Sequence, residues 1–351
     1  MNIDYANLNL QYQNYKKNID DAIVKVLKNS KFIMGEEVSK LEKNLEIFSG
    51  VNHAITCSSG TDALLLAMMA MDIQPNDEII TTPFTWVSTS ETIALLKARP
   101  VFVDIEPDTF NIDAKLIEAA VTKNTKAIMP VSLFGQPADI DHIQTIANKH
   151  NLKVIIDGAQ SFGSTYKNKT DSNLGDISIT SFFPSKPLGC YGDGGAVFTN
   201  NNNYAEKIKM LRVHGQNKRN HHKYIGMGGR MDTIQAAILL VKLKYFPKEL
   251  IDRKIVADHY TNGLSDILQT PTIKPNNSSA WGQYTVRVNN RDNIQNELKK
   301  KNIPTSIFYP VSLHLQECFQ YLNYKKGDFP ISEKTCNEVI SLPMNPFLTY
   351  D

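Results

Sequence analysis

Between residues 54 and 200 the chain alternates short β-branched runs with longer stretches of helical spacing, and this alternation limits its folding more than any other feature. The runs are AITC (54–57), EIIT (78–81), PVFVDI (100–105), AIMPVSLF (127–134), VIID (154–157), ISITSFF (177–183) and AVFT (196–199). Helical periodicity fills the gaps at 61–71, 88–96, 114–121 and 140–150. Several runs are apolar on both faces, as strands covered by helices on each side must be. The pattern predicts an α/β fold: a seven-stranded, mostly parallel sheet with helices on both faces.

A length of 351 residues exceeds what that sheet needs. Helical segments at 203–212 and 231–245, the latter strongly amphipathic, extend the first region. From about residue 251 the composition changes to a long helix, a short strand TVRV (285–288) and a helix at 293–301. We therefore expect a large domain over 1–250, including an N-terminal arm, and a smaller C-terminal α/β domain over 251–351.

Charge separates function classes. With 42% hydrophobic residues, 21% charged residues and a net charge of +2, the chain has no polyanion-binding character, and its basic clusters are short. Nucleic acid is not an expected partner. No run reaches ~18 apolar residues, so no membrane span is expected. The N-terminal MNIDYANLNLQYQNYKKNID lacks a basic start followed by an apolar core, so no secretory signal is expected either. Cys57, Cys190, Cys318 and Cys336 are far apart without C-x-x-C spacing, which suggests neither zinc nor a disulfide framework and fits a reducing cytoplasm.

In sheets of this kind ligands bind at the carboxyl ends of the strands. Four ends carry polar or aromatic groups. SSGTDALLLA (58–67) reads as a strand end, a turn at Gly60 and a helix from Thr61. Its free first amides would cradle a phosphate, although a plain N-cap by Ser59 or Thr61 reads the same way. The G-x-x-x-x-G-K-[ST] and G-x-G-x-x-G spacings of nucleotide loops are absent. TPFTW (82–86) ends in Trp86, which can be core or can stack on a flat ring. VIID ends on Asp157, a carboxylate costly to bury without a partner; it either caps a turn or lies beneath a heteroaromatic nitrogen.

The fourth end leads to Lys186. Pro184 and Pro187 fix two backbone φ angles around it, and Gly189, Gly192, Gly194 and Gly195 follow. A lysine in so constrained a turn reads as aimed, although a proline- and glycine-rich surface turn with an incidental lysine reads the same way. Taken together, a phosphate cradle, an aromatic cover, an aspartate for a ring nitrogen and a positioned lysine are the four requirements of pyridoxal 5′-phosphate.

Over nearly its whole length the chain resembles the DegT/DnrJ/StrS family of pyridoxal-phosphate sugar aminotransferases. The resemblance rests on SSGTDALLLA, VFVDIEPDTFNID, SLFGQPADID, DGAQSFGS, SFFPSKPLGCYGDGGA, RVHGQNKRNHH and GRMDTIQAAIL. It implies fold type I, a homodimer with shared active sites, and a nucleotide-sugar substrate. FFPSKPLGCYGDGGA and FYPVSLHLQ (308–316) look most like members that aminate carbon 3 of UDP-2-acetamido-2-deoxy-3-keto-glucuronate with L-glutamate, for surface polysaccharide. Amination at carbon 4, or of a dTDP-linked deoxysugar, shares the same cofactor residues. A catalytically silent regulator would keep the fold without the chemistry.

By this resemblance Lys186 forms the Schiff base and moves the proton, Asp157 holds the pyridine nitrogen and Gln160 lies near the phenolic oxygen. Gly60, Thr61 and Ser181 bind the phosphate, and Trp86 covers the ring. A lysine rather than a histidine at 186 also separates aminotransfer from the dehydrating relatives. Arg230, with its planar fork, is the candidate for a hexuronate carboxylate, although an interface arginine reads equally well. Tyr309 and His314 are further substrate candidates. His214, His221 and His222 match no zinc spacing, no metal is expected, and the resemblance puts them in a loop near the dimer interface. One departure stands out: IGMGGRMD (225–232) has Gly228 where relatives carry an asparagine that crosses the dimer to the cofactor phosphate. The resemblance also leads one to expect a further helix beyond NPFLTYD (345–351).

Overall fold

A computed structural model describes residues 3–349; the first two residues and the last two of NPFLTYD lie outside the described residues. Helices α1 (Leu8–Asn29) and α2 (Glu36–Ser49) precede the sheet. Then follow β1 (His53–Cys57), α3 (Gly60–Ala70), β2 (Glu78–Thr81), α4 (Ser88–Leu95), β3 (Arg99–Phe102), β4 (Thr125–Ile128) and α5 (Ile140–His150). After these come β5 (Lys153–Asp157), β6 (Ile177–Ser181), β7 (Gly195–Thr199) and α6 (Asn202–Leu211). The rest comprises α7 (Thr233–Leu264), β8 (Tyr284–Arg287), α8 (Arg291–Lys300), α9 (Pro330–Glu338) and β9 (Val339–Leu342).

All seven expected runs become strands of one sheet, in the order β1-β7-β6-β5-β4-β2-β3. Only β7 is antiparallel to its neighbours β6 and β1. Alternation along the strands explains the layers. Ile55, Ile155, Ile179 and Val197 face Leu66, Met68 and Ile208 of α3 and α6. Ala54, Ala196 and Phe198 point the other way, onto Leu45, Leu239 and Phe246 of α2 and α7. Because both sets are apolar, the sheet has no wet face, and each fully buried aliphatic side chain contributes about 1.5–3 kcal/mol.

Some ends differ from expectation where distant side chains intervene. The PVFVDI run leaves the ladder after Phe102, because Asp104 turns to accept hydrogen bonds from the amides of Ile331 and Ser332 at the start of α9, both at 2.9 Å. The expected helix at 114–121 is one α-turn, Ala114–Ile117, continued by a 3₁₀ turn. Pro247 separates two expected helices, yet α7 runs through it for 32 residues, and the boundary expected at 250/251 falls inside this helix. Its first half packs on the sheet; its second half, with Val256 and Ala257, packs on Trp281, Tyr284 and Ile340 of the C-terminal region. There β8 and β9 pair antiparallel, Tyr284 opposite Leu342. No helix among the described residues is long and apolar enough to cross a membrane.

Candidate active site

The antiparallel β7 determines where the site can form. It starts at the end of the sheet where the parallel strands finish, so Gly195 lies opposite both Cys57 and Ser181. The chain after β1 therefore crosses directly over the start of β7. A β-carbon at Gly195 would sit 2.4 Å from the Ser59 carbonyl oxygen, and one at Gly60 would sit 2.7 Å from Ser181 Cβ. Only glycine permits this approach, and it brings the N-terminus of α3 against Ser181.

Ser59 caps α3, its Oγ accepting from the Asp62 amide at 3.0 Å. The first amides, those of Gly60 and Thr61, have no acceptor inside the helix. Thr61 Oγ1 shares a 2.9 Å hydrogen bond with Ser88 Oγ, which joins the start of α3 to that of α4. These residues line one wall of a cavity of about 360 Å³.

Asp157 and Lys186 line the same cavity. Asp157 is buried; its Oδ2 accepts from Thr89 Oγ1 at 2.8 Å and its Oδ1 from the Ala159 amide at 3.2 Å. Burial raises its proton affinity, while the two hydrogen bonds and the charge of Lys186 lower it. Lys186 is half-buried, in a turn closed by its amide donating to the Phe183 carbonyl at 2.9 Å. Desolvation pulls its ammonium down to about 8, against the stabilising charge of Asp157. Burial thus shifts Lys186 toward its neutral amine form. Free amines are nucleophiles only when neutral, so this site holds a usable one.

Gln160 is fixed from both ends. Its Oε1 accepts from the Phe134 amide at 2.8 Å, which leaves Nε2 to donate to Tyr309 Oη at 2.9 Å. Tyr309 arrives from the C-terminal region, and burial pushes its phenol above the usual tyrosine range. Its hydroxyl, already accepting, keeps its own proton to donate. Trp86 stands on the cavity wall with 59% of its surface exposed, its ring 6.3 Å from that of Tyr309.

The cavity thus gathers Gly60, Thr61, Trp86, Asp157, Gln160, Ser181, Lys186 and Tyr309. His314 is not among them. It is buried between Ser312 Oγ at 2.9 Å and Glu333 Oε1 at 3.0 Å, edge-on to Phe329, so its ring serves packing within the C-terminal region and not a ligand in this cavity. Arg230 also lies outside the cavity wall; its Nε is buried without a partner. A β-carbon at Gly228 would lie close against the His214 ring, 3.2 Å from its Cε1 and 3.3 Å from its Nε2. Among the described residues no group of histidines, cysteines and acids could hold a metal ion.

Several cavity residues escaped the sequence reading: Thr85, Ser88, Thr89, Phe183, Gln283 and Phe308. Thr85, Ser88 and Thr89 had a signal, since hydroxyls at i, i+3 and i+4 share one side of a helical turn. Phe308 stands next to Tyr309 at the start of FYPVSLHLQ, while Gln283 had no signal, being brought in by the fold-back of the C-terminal region. Asp171 was missed too. It is buried behind the Asp157 turn and accepts from Ser132 Oγ at 2.8 Å and from Ser161 Oγ.

Pyridoxal phosphate fits these residues: a cradle that a β-carbon would fill, a buried carboxylate on the cavity wall, a partly neutral lysine and an aromatic wall. Comparison with known proteins agrees. The chain is 48% identical, over 99% of its length and 96% of the relative's, to the UDP-2-acetamido-2-deoxy-3-oxo-D-glucuronate aminotransferase of Pseudomonas aeruginosa. It is 43% identical, over 99% of its length and 95% of the relative's, to a pleiotropic regulatory protein of Geobacillus stearothermophilus. Among solved structures it matches NtdA from Bacillus subtilis with bound cofactor PMP, with a TM-score of 0.93 at 30% identity, covering 99% of this chain and 82% of the other. The architecture is accordingly fold type I, with pyridoxal phosphate as the cofactor. Residues 13–351 match the model of the DegT/DnrJ/EryC1/StrS aminotransferase family, and the chain belongs to that family.

Proposed function

We propose that this aminotransferase moves the amino group of L-glutamate to carbon 3 of UDP-2-acetamido-2-deoxy-3-keto-D-glucuronate, as a homodimer with shared active sites. The observation that carries the chemistry is the meeting of Lys186, Asp157 and Gln160 in one cavity. The choice of sugar rests on the full-length similarity to the Pseudomonas enzyme. In the overall exchange glutamate leaves as 2-oxoglutarate and the ketone becomes an amine.

When bound, pyridoxal phosphate supplies a carbonyl carbon for the amine and a protonated ring that withdraws electrons. The protein does the rest. The amides of Gly60 and Thr61, at the positive end of α3, hold the phosphate together with Ser181. Asp157 would keep a proton on the ring nitrogen, and the Thr89 hydroxyl, donating to its Oδ2, fixes the carboxylate. Gln160 and Tyr309 would hold the phenolic oxygen, and Trp86 would shield the ring from water. Lys186 Nζ, once free, carries the proton to and from the substrate carbon, a task suited to an amine with a pKa of about 8.

Arg230 is the proposed partner of the sugar carboxylate. Since it lies outside its own subunit's cavity, it would serve the partner subunit's site. Exposed Phe32, Ile33, Met34, Phe183 and Ile225 offer apolar surface for such a contact. The similarity to the pleiotropic regulatory protein of Geobacillus stearothermophilus supports a second reading, a catalytically silent regulator of the same fold.

One spectrum separates these readings. Wild-type protein mixed with pyridoxal phosphate should show the visible band of lysine-bound cofactor, bleached by glutamate, and Lys186→Ala should show no such band. A wild type without the band supports the regulator. Product analysis with 3-keto and 4-keto UDP and dTDP sugars then identifies the substrate; turnover confined to 4-keto sugars would overturn the assignment to carbon 3.

A further inference from the structure

Three polar residues of α7 stand seven apart: Gln235, Lys242 and Glu249. Seven residues are close to two helical turns, so they form one stripe that drifts only slightly around the helix. Their neighbours Leu239, Leu243 and Phe246 pack in the apolar core beside the sheet. A polar stripe in that position calls for a reason.

Each member holds something different. Gln235 clamps the backbone of Tyr191 twice, accepting from its amide at 2.9 Å and donating to its carbonyl at 3.3 Å. Lys242, 2% exposed, donates to the carbonyl of Gly189, and its Nζ lies 5.2 Å from the centre of the Tyr191 ring. Glu249, 3% exposed, accepts from Gln11 at 3.0 Å and from Tyr15 at 2.9 Å, both on α1. The first two bonds thus end on the loop that carries Lys186.

That loop is tightly closed. Phe182 donates its amide to Gly194 and accepts from the Cys190 amide, while Lys186 turns back onto Phe183. A β-carbon at Gly189 would sit 2.4 Å from the Pro184 carbonyl oxygen, so the outgoing strand of the loop lies directly on the incoming one. The Gly189 carbonyl is therefore three residues from Lys186 in sequence and packed against the turn that aims it.

We infer that Lys242 is a positioning residue for Lys186: its ammonium, bonded to the Gly189 carbonyl, fixes the 182–192 loop so that the amine of Lys186 is held in the cavity. An aliphatic side chain would be the less costly choice for packing alone, since burying an ammonium carries a large desolvation penalty. Burial pulls the Lys242 ammonium down to about 8, and the charge of Glu249, which is bonded to α1, partly opposes that shift.

The inference rests on Lys186 being the cofactor-binding lysine, and the test separates the two. Cofactor-free wild type, Lys242→Met and Lys242→Gln are compared for two properties. One is the rate at which pyridoxal phosphate is captured covalently, read as the rise of the visible band. The other is the dissociation constant for pyridoxamine phosphate, which occupies the same cradle without bonding to lysine. Lys242→Met should slow capture at least about tenfold, the scale of a small misplacement of a reacting group. Its affinity for pyridoxamine phosphate should stay within about threefold, and Lys242→Gln, which keeps a donor, should recover most of the rate. Unchanged capture in Lys242→Met overturns the inference, and so does a parallel loss of rate and affinity, which would mark general loosening. Should Lys242→Met fail to fold, Gln235→Leu releases the same loop at Tyr191 and must show slower capture at retained affinity. A wild type that never captures the cofactor would instead overturn the function proposed for Lys186.

Discussion

At the scale of single residues, Asp157 and Lys186 pull each other in opposite directions from a shared burial. Desolvation favours the neutral form of both, and their mutual attraction favours the charged forms. For Lys186 desolvation wins, and its pKa falls to about 8. Because only the neutral amine attacks a carbonyl, the rate of cofactor capture should climb about tenfold per pH unit below that value and level off above it. The substitution Asp157→Asn removes the charge that retains the proton, so the plateau should begin at lower pH. Stopped-flow absorbance across pH 6 to 9.5 checks both; a plateau that starts at the same pH in Asp157→Asn as in wild type would show that the carboxylate does not act on Lys186. His314 gives the opposite lesson. The resemblance of FYPVSLHLQ makes it a substrate candidate, but it is buried, bonded to Ser312 and donating to the Glu333 carboxylate, through packing that no local pattern reveals.

At the scale of elements, the phosphate cradle exists because two glycines allow α3 to start against β6 and β7. Gly60→Ala would force apart Ser181 and the first turn of α3, since the new β-carbon would lie 2.7 Å from Ser181 Cβ. The affinity for pyridoxamine phosphate should drop at least about tenfold, or ~1.4 kcal/mol. Gly263→Ala, within α7 and with nothing within 4 Å of the added carbon, is the control. It should leave that affinity unchanged and raise stability by roughly 0.4–1 kcal/mol through helix propensity. Fluorescence titration and urea unfolding measure the two quantities. Equal loss of affinity in both variants would mean that helix geometry, not the contact with Ser181, governs the cradle. Elements of this kind were legible in the sequence where local chemistry decides them: β-branched runs, their bounding turns, and the polar residues at their ends. They were misjudged where a remote group decides, as when Asp104 bends the chain out of β3 to meet α9, or when core packing on both sides carries α7 through Pro247.

At the scale of the whole molecule, the site draws on three distant parts of the chain. The large region supplies the cradle, Asp157 and Lys186, and the C-terminal region supplies Tyr309 and Gln283; the third part, the 214–230 segment, stays outside its own chain's cavity and contributes only if it reaches a partner subunit's. Arg230 is the informative residue there, with a buried Nε that meets no acceptor within its own chain among the described residues. If it serves the partner subunit's cavity, then Lys186→Ala and Arg230→Ala disable different halves of each composite site. Each variant alone should be inactive, but a hybrid dimer would hold one doubly damaged site and one intact site. Random exchange of equal amounts gives half hybrids, so the mixture should regain about a quarter of wild-type activity. The measurement is turnover of the keto sugar after mild dissociation and reassociation, with exchange verified by a mass tag on one variant. Full exchange without recovered activity would mean that each subunit builds its site alone, and Arg230 would then act within its own chain or not at all.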